Sequence, residues 1–322
     1  MISEALKDIS YIDEKPYILI QADPESSINV YIYESLRSKL LFEGNLWPDF
    51  YGHLLIDVVP EIKDLYAPVI PGRIASLQNN YSTLKYRDEE DDEGDYHFAS
   101  VNLFSRDALE VMSDADELMV PQDYILPISY VQTDIVNQAY IATRSGMIDI
   151  TELCPYDNVR PLGVISFLRS IKEFNLLPGE TFRVVVYCDG DPVYSPFYTV
   201  VRPAMEQFLF YNRLGGWDNI AMSGRCTAAP EYEFVSGIKD GKRVKTIGKN
   251  TRKYKQNSGN LTLKSAMALA QLLESPAIYH LVSGAWKPVV IDAVEATIEG
   301  NSYLHSITFT YMYSDDNNKF SL

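Results

Sequence analysis

Residues 208–220 read FLFYNRLGGWDNI, and they decide how the last third of the chain folds. Two apolar, strand-like runs flank the pair Gly215-Gly216. Glycine supplies the positive φ that a tight hairpin turn needs. The stretch therefore predicts a β-hairpin, on which the rest of the C-terminal third packs.

A single helix follows this hairpin. Residues 261–274 carry apolar residues at helical spacing, which predicts one apolar stripe. The stripe comprises Ala266, Leu269, Ala270 and Leu273. Thr262 or Asn260 is the expected N-cap, and Pro276 closes the helix.

Beyond the helix, apolar residues recur at every second position instead of about every 3.6 positions. Residues 306–314 alternate strictly between two faces, as expected for a strand with one face on a core. Its predicted inner residues are Ile307, Phe309, Tyr311 and Tyr313. Three earlier runs are also predicted strands, namely 278–282, 288–291 and 294–298.

This C-terminal pattern resembles a known family. The residues that carry the resemblance are Tyr211–Trp217, Trp286–Ile291 and Ile307–Tyr313. From about Pro203 to Leu322 the chain resembles the tail-tube and distal-tail (baseplate hub) proteins of bacteriophages and prophages. The resemblance implies a β-sandwich flanked by one helix, assembled side by side into a ring around a DNA channel. Because two β-rich units precede this one, a tail-tip or baseplate part fits better than the repeating tube.

The length, charge and cysteine content of the chain limit its domain number, binding partners and cellular location. With 322 residues the chain is long enough for two or three domains, and its net charge of −16 argues against general affinity for nucleic acid or anionic membranes. Cys154, Cys188 and Cys226 lie far apart, so a disulfide framework is not expected. The N-terminus lacks the features of a signal peptide, and no apolar run approaches the roughly 20 residues of a membrane span. We therefore expect cytoplasmic synthesis and no membrane span.

The two preceding units are predicted to be β-sandwich-like domains, which makes the chain mainly β and multi-domain. The predicted domains are 1–120, 121–202 and 203–322. In the first, strands are expected at 17–21, 28–33, 39–42, 53–58, 81–86 and 97–104, with a hairpin over 39–57 and a short helix around 107–119. In the second, a Pro-Gly turn, a strand from Thr181, an Asp-Gly turn and a return strand to Val201 predict a hairpin. That hairpin resembles the closing hairpin of fibronectin type III modules.

The segment from Gly237 to Gly259 is predicted to be a long, poorly ordered loop, because it is polar and has no apolar period. Between Gly237 and Lys255 it holds eight basic residues against Asp240 alone, a net charge of +7. The eight are Lys239, Lys242, Arg243, Lys245, Lys249, Arg252, Lys253 and Lys255. Contact with DNA, contact with an acidic face of a neighbouring subunit, and a merely solvated loop are all open interpretations. A nucleic-acid patch usually interleaves aromatic residues, and here only Tyr254 is available. We take the eight residues as a candidate subunit-interface loop.

No motif indicates an enzyme, a cofactor or a metal site. The acidic run 88–95 fails as a calcium loop because position twelve is Ser100, so a solvated hairpin tip is expected. Gly237 to Lys242 is one residue short of a P-loop and lacks its Ser or Thr. The four histidines, His53, His97, His280 and His305, stand in separate segments. We therefore predict a protein that is not an enzyme and binds no cofactor.

Two functions from different classes fit these patterns. The first is a structural, ring-forming subunit of a phage or prophage tail, six-fold by resemblance, with itself and other tail proteins as partners. In it DNA would pass without specific binding, and the protein would end in the virion tail. The second is a carbohydrate-binding or glycan-processing β-sandwich protein that stacks sugars on Trp47, Phe50 and Tyr51. The alternative for these three residues is a hairpin tip packed on its own domain.

Overall fold

The computed structural model describes most of the chain. The described residues are 2–4, 9–11, 17–21, 24–25, 27–34, 39–57, 68–78, 81–88, 97–102, 106–132, 136–154, 163–188, 190–240, 242–297 and 305–314. Strands account for 59% of residues and helical structure for 11%, which confirms the predicted mainly-β, multi-domain class.

The described part of residues 1–102 contains nine short strands. They are β1 Ile2–Glu4, β2 Ile9–Tyr11, β3 Tyr17–Gln21, β4 Ile28–Glu34, β5 Lys39–Leu46, β6 His53–Asp57, β7 Ser76–Gln78, β8 Tyr81–Asp88 and β9 His97–Asn102. Strands β1, β3 and β6 form one sheet, and β2, β9, β8, β4 and β5 form another. Ile18, Ile20 and Ile56 are buried on the first sheet, and Val30 and Ile32 on the second. All six strands predicted in this region are confirmed, except that residues 58 and 103–104 of the predicted ranges lie outside the described residues.

The predicted hairpin over residues 39–57 is wrong. Strand β5 pairs with β4, whereas β6 pairs with β3 in the other sheet. The turn at residues 47–52 therefore connects two sheets instead of closing a hairpin. Consecutive strands are often but not always neighbours, and apolar alternation does not reveal the partner.

The middle of the chain forms a sandwich of two sheets. Its strands are β10 Glu117–Pro121, β11 Ile125–Gln132, β12 Val136–Thr143, β13 Met147–Asp149, β14 Gly163–Ser170, β15 Thr181–Cys188, β16 Asp191–Tyr194 and β17 Phe197–Val201. One sheet has the order β10-β17-β15-β12-β13, with β16 on β15, and the other has the order β11-β14-β7. One core joins them, with Ile128 and Phe167 from the smaller sheet and Val184 and Tyr198 from the larger.

One prediction for this region is confirmed and another is wrong in extent. The hairpin predicted within 181–201 is confirmed, since β15 and β16 are antiparallel partners. The helix predicted around 107–119 is wrong in extent, because residues 106–132 contain a 3₁₀ turn at Arg106–Leu109 and then begin β10 at Glu117. The predicted boundary between 120 and 121 falls inside β10, and β7 pairs with β14. The division into three domains stays a prediction.

Seven strands form the sheet of the last unit. They are β18 Glu206–Tyr211, β19 Trp217–Met222, β20 Cys226–Lys239, β21 Lys242–Asn257, β22 Ile278–Val282, β23 Ala285–Thr297 and β24 Ser306–Tyr313. Their order is β19-β18-β22-β23-β24-β21-β20, and no described strand from residues 1–202 pairs with them. The hairpin predicted at 208–220 is confirmed as β18 and β19, and Gly215 takes a φ of 89° in its turn. Two predicted strands, 288–291 and 294–298, merge into β23 around a bulge at Asp292.

The helix α1, Leu263–Glu274, packs on this sheet. Thr262 is its N-cap, as predicted, and Thr262 Oγ1 accepts a hydrogen bond from the backbone N–H of Ser265 at 3.2 Å. The buried apolar residues of α1 are Ala266, Ala268, Leu269 and Leu272. Ala270 and Leu273, which the predicted stripe included, are half-buried. The stripe differs because α1 contacts two bodies, the sheet through Ala266 and Leu269 and the middle core through Ala268.

The prediction of an irregular loop at Gly237–Gly259 is wrong. Strand β20 continues to Lys239, β21 begins at Lys242, and the two pair from Cys226 opposite Gln256 to Lys239 opposite Lys242. The backbone groups of each strand that face the other strand thereby find hydrogen-bond partners, which a sequence dominated by charged side chains does not prevent.

The hairpin β18–β19 also joins the last unit to the middle one. Strand β19 packs on β10 and β11. The backbone N–H of Trp217 donates to Ser129 Oγ at 3.0 Å, and Asn219 Nδ2 donates to the carbonyl of Ile125 at 2.6 Å. Gly216 permits this approach, because a Cβ there would lie 2.7 Å from Ser129 Cβ. We refer to these contacts and those of Asp218 as the joint.

Charged groups lie within the joint. Asp218, buried on β19, accepts a hydrogen bond from Ser113 Oγ at 2.8 Å. Burial raises the pKa of Asp218 to about 7, with a smaller contribution from Asp114, while hydrogen bonds from Ser113 and Asn212 oppose the rise. Asp114 itself pairs with Arg213 through two hydrogen bonds of 2.6 and 2.8 Å. The stretch that decides the fold is thus also the joint between two units.

Candidate functional site

The hairpin β20–β21 extends well beyond the sheet that carries it. Strand β21 pairs with β24 from Tyr254 to Asn257, whereas its pairing with β20 continues to Lys242. The part beyond Tyr254, residues 229–253, is about 40 Å long at 3.3 Å per residue. Among the described strands, the two strands of this part pair with each other alone. We refer to residues 229–253 as the projecting hairpin.

One face of the projecting hairpin continues the core face of the sheet. The root of the hairpin is the part of β21 that still pairs with β24, Tyr254–Asn257. There, Tyr254 stacks on the buried Tyr311, with ring centroids 5.4 Å apart. In register with Tyr254, steps of two residues along β20 place Tyr232, Phe234 and Ile238 on the same face. Their side chains are 46%, 52% and 77% exposed. The apolar face that α1 covers in the sheet therefore runs on into solvent.

Basic residues share this face. Arg243 stands opposite Ile238, and Lys245 Nζ lies 3.5 Å from the ring centroid of Phe234, a cation–π contact. Arg252 is exposed and stands on the same face nearer the root. We refer to the following set as the exposed hairpin face: Tyr232, Phe234, Ile238, Arg243 and Lys245. It combines large apolar groups with positive charge.

On the opposite face, two lysines near the base of the hairpin pair within the chain. Lys253 Nζ lies 2.6 Å from Glu231 Oε2 and 2.9 Å from Asp292 Oδ2. These hydrogen bonds, first to Glu231 and then to Asp292, raise the pKa of Lys253. Lys255 Nζ pairs with the Glu295 carboxylate at 2.9 Å. Lys253 and Lys255, predicted to reach a neighbouring subunit, therefore pair with carboxylates of their own chain.

The remaining predicted residues divide into two groups. Lys242 is exposed close to the hairpin tip, like Arg243 and Lys245. Lys239 and Lys249 stand on the paired strands, and their side chains lie outside the described part of the chain. The acidic run is described only at Asp88, the last residue of β8.

Sequence reasoning missed the aromatic half of the exposed hairpin face. The available signal was Asp240-Gly241, a dipeptide that favours a two-residue hairpin turn, preceded by Tyr232, Phe234 and Ile238 at even spacing. Asp240 takes a φ of 53°, in the left-handed region that such a turn requires. The density of lysine and arginine obscured this alternation.

A buried hydrogen-bond network holds the root of the hairpin. His280 Nε2 lies 2.7 Å from Glu206 Oε2, so with Glu206 ionised this nitrogen donates. His280 Nδ1 then accepts from the hydroxyl of Tyr313 at 2.8 Å, and the hydroxyl of Tyr311 lies 3.2 Å from the same nitrogen. Burial lowers the pKa of His280 against the opposing effect of Glu206, and burial raises the pKa of Tyr311. The neutral imidazole thus serves as a fixed link between β18, β22 and β24.

The three residues of the predicted sugar-stacking platform lie together in the turn between β5 and β6. Trp47, Phe50 and Tyr51 are 65%, 88% and 76% exposed. The rings of Phe50 and Tyr51 meet edge to face, with centroids 5.6 Å apart. The alternative of a tip packed on its own domain is wrong, because all three side chains face solvent.

Other kinds of site find little support in the described residues. Within them, no three His, Cys, Asp or Glu side chains come together as a metal site. No described helix is long and apolar enough to cross a membrane. Cys154 and Cys188 are buried, Cys226 is half-buried, and none of these three described cysteines is joined to another by a disulfide.

Comparison with known proteins assigns no family to this fold and these surfaces. No protein-family model matches the chain, and no curated protein matches it either.

Proposed function

We propose that this chain is a structural subunit of a bacteriophage or prophage tail, of the tail-tip, baseplate or distal-tail type. In the particle it assembles into a ring around the DNA channel. The observation that carries this proposal is the projecting hairpin, whose apolar face continues past the sheet without cover. A two-stranded hairpin is marginally stable alone in water, and clustered exposed apolar groups mark contact surfaces.

Charge supports a second copy of the chain as the partner. The exposed hairpin face carries Arg243 and Lys245, and the whole chain has a net charge of −16. A basic, apolar arm is therefore attracted to the acidic remainder of another copy. Such a contact joins two different surfaces, and repeated head-to-tail contacts close into a ring when the rotation allows. The resemblance of the last unit to tail-tube proteins suggests six copies.

The same charge balance fits a DNA passage without specific binding. An acidic lining repels the phosphate backbone, so DNA moves past it without adhering. The proposal gives the protein no catalytic role and no cofactor. Its partners are further copies of itself and the adjoining tail proteins, and its final location is the virion tail.

Imaging of tail particles tests this proposal. Particles induced from the host that carries the gene are examined by cryo-electron microscopy, with the chain located by a fused tag. A double variant, Phe234→Ser with Ile238→Ser, should lower incorporation about tenfold to a hundredfold, because central apolar contacts carry most interface energy. Met147→Ser is the matched control, since Met147 is 72% exposed on the middle unit. Particles that lack the wild-type chain, or a ring in which the hairpin face stays in solvent, would refute the proposal.

A further inference from the structure

The aromatic turn at residues 47–52 is rigid, although it connects two different sheets. Asp49 Oδ1 accepts hydrogen bonds from the backbone N–H groups of Tyr51 at 2.9 Å and His53 at 2.8 Å. The backbone N–H of Asp49 donates to the His53 carbonyl at 2.7 Å, and Gly52 donates to the Asp49 carbonyl at 2.9 Å. Gly52 takes a φ of 78°, which favours glycine. The turn therefore presents its aromatic side chains from a fixed backbone.

The chemistry of the exposed side chains points to a flat, partly apolar ligand. Trp47, Phe50 and Tyr51 offer ring faces and few rotatable bonds, so little side-chain entropy is lost when a ligand covers them. The C–H faces of a pyranose ring stack on such aromatic faces. Each contact of this kind contributes through dispersion and the ring quadrupole.

Hydrogen-bonding groups flank the aromatic turn on both strands. Asn45 and Glu43 are exposed on β5, two and four residues before Trp47, and share one face of that strand. His53 is exposed at the start of β6. Carboxylate and amide oxygens accept hydrogen bonds, and sugar hydroxyls donate them.

The charge around the aromatic turn indicates which class of ligand it can bind. Residues 40–57 contain three carboxylates and neither lysine nor arginine. This environment repels anionic bilayers and acidic polysaccharides, whereas neutral or amino-bearing sugars meet no such repulsion. We propose that the aromatic turn binds a neutral or amino-sugar glycan, with Trp47, Phe50 and Tyr51 stacking on pyranose rings.

This binding site is independent of the projecting hairpin and of ring assembly. The full-length protein is applied to an array of immobilised neutral and amino-sugar oligosaccharides, with chito-oligosaccharides and β-glucans as probes. Binding is then measured in solution by acrylamide quenching of tryptophan fluorescence. Trp217 is buried and Trp286 is half-buried, so protection by a glycan reports chiefly on Trp47.

The expected result is retention on at least one glycan and reduced quenching in its presence. Because variants at Trp47 lack this fluorescent reporter, their affinity is measured by titration on the array. There, Trp47→Ala should weaken binding at least about tenfold, and Trp47→Phe less, since a smaller ring keeps part of the contact. Ile74→Ala, at an exposed apolar residue outside the turn, should leave binding unchanged. Thermal unfolding curves verify that each variant folds, and Tyr51→Ser provides a second variant that leaves Trp47 in place.

Three outcomes would overturn the proposal: no glycan on the array retains the protein, Trp47→Ala and Tyr51→Ser bind as wild type, or the turn binds phosphatidylcholine vesicles and no glycan. Ring assembly is measured separately by microscopy. Absence of glycan binding would therefore leave the proposed tail function untouched, and absence of a ring would leave the proposed glycan site untouched.

Discussion

Asp218→Asn isolates the effect of a buried carboxylate on the stability of the joint. Asparagine has nearly the shape of aspartate, stays neutral at every pH, and keeps an oxygen that can accept the hydrogen bond from Ser113. The substitution therefore removes the titration of Asp218 while leaving the packing of β19 on the middle unit in place.

The expected magnitude follows from the pKa. Burial raises the pKa of Asp218 from 3.8 to about 7 in the folded protein. Because the folded state then holds the proton more tightly than the unfolded chain, the wild type loses stability as the pH rises from about 4 to about 7. At 1.36 kcal/mol per pKa unit this loss is about 4 kcal/mol. Asp218→Asn does not titrate and so does not lose this stability. Its free energy of unfolding relative to wild type should therefore rise by about 4 kcal/mol between pH 4 and pH 8.

Urea unfolding followed through tryptophan fluorescence measures this difference, since the buried Trp217 adjoins Asp218. Asp114→Asn is the control of opposite sign. Burial opposes the effect, but hydrogen bonds from Arg213 and Gln271 hold the pKa of Asp114 below its usual range. The stability that ionised Asp114 contributes to the folded protein is present at neutral pH and is lost as the pH falls. If wild type and Asp218→Asn show parallel stability curves from pH 4 to pH 8, the reasoning about the buried carboxylate is wrong.

Two further substitutions test the joint and the helix. Gly216→Ala should destabilise the protein by about 1–3 kcal/mol, because the new Cβ would overlap Ser129 Cβ; an unchanged urea midpoint would show that the joint can open freely. Thr262→Ala should cost about 1 kcal/mol through loss of the α1 N-cap, and Thr262→Ser should restore most of it; equal midpoints for the two variants would contradict the capping role.

Local chemistry made much of the fold predictable. The Gly215-Gly216 turn, the Thr262 cap and the alternation of Ser306–Tyr313 each depend on residues close in sequence, and the structure contains all three. The pairing of β5 with β4 and of β6 with β3 depends on which strands meet in space. No residue within 39–57 encodes that choice, so the hairpin predicted there was wrong.

The candidate site was predicted in part, for a related reason. Basic residues identified the segment, but their charge concealed the alternation of Tyr232, Phe234 and Ile238. The salt bridges of Lys253 and Lys255 depend on Asp292 and Glu295, about forty residues away in the sequence. A count of charges cannot distinguish lysines that pair with carboxylates of the chain from cations left exposed elsewhere on the hairpin.

The attachment of the projecting hairpin determines where its tip can reach. Four residue pairs tie β21 to β24 at the root, and the arm beyond them acts as a lever. A tilt of about 10° at the root moves the tip of a 40 Å arm by about 7 Å, more than the width of one strand spacing. At the root, Gly224 lies against the backbone of Asn257 and Gly259, where a Cβ would collide with the Asn257 carbonyl. Close backbone packing is therefore one of the contacts that hold the base of the arm, and any displacement that a larger residue at Gly224 causes there is carried to the tip by the length of the arm.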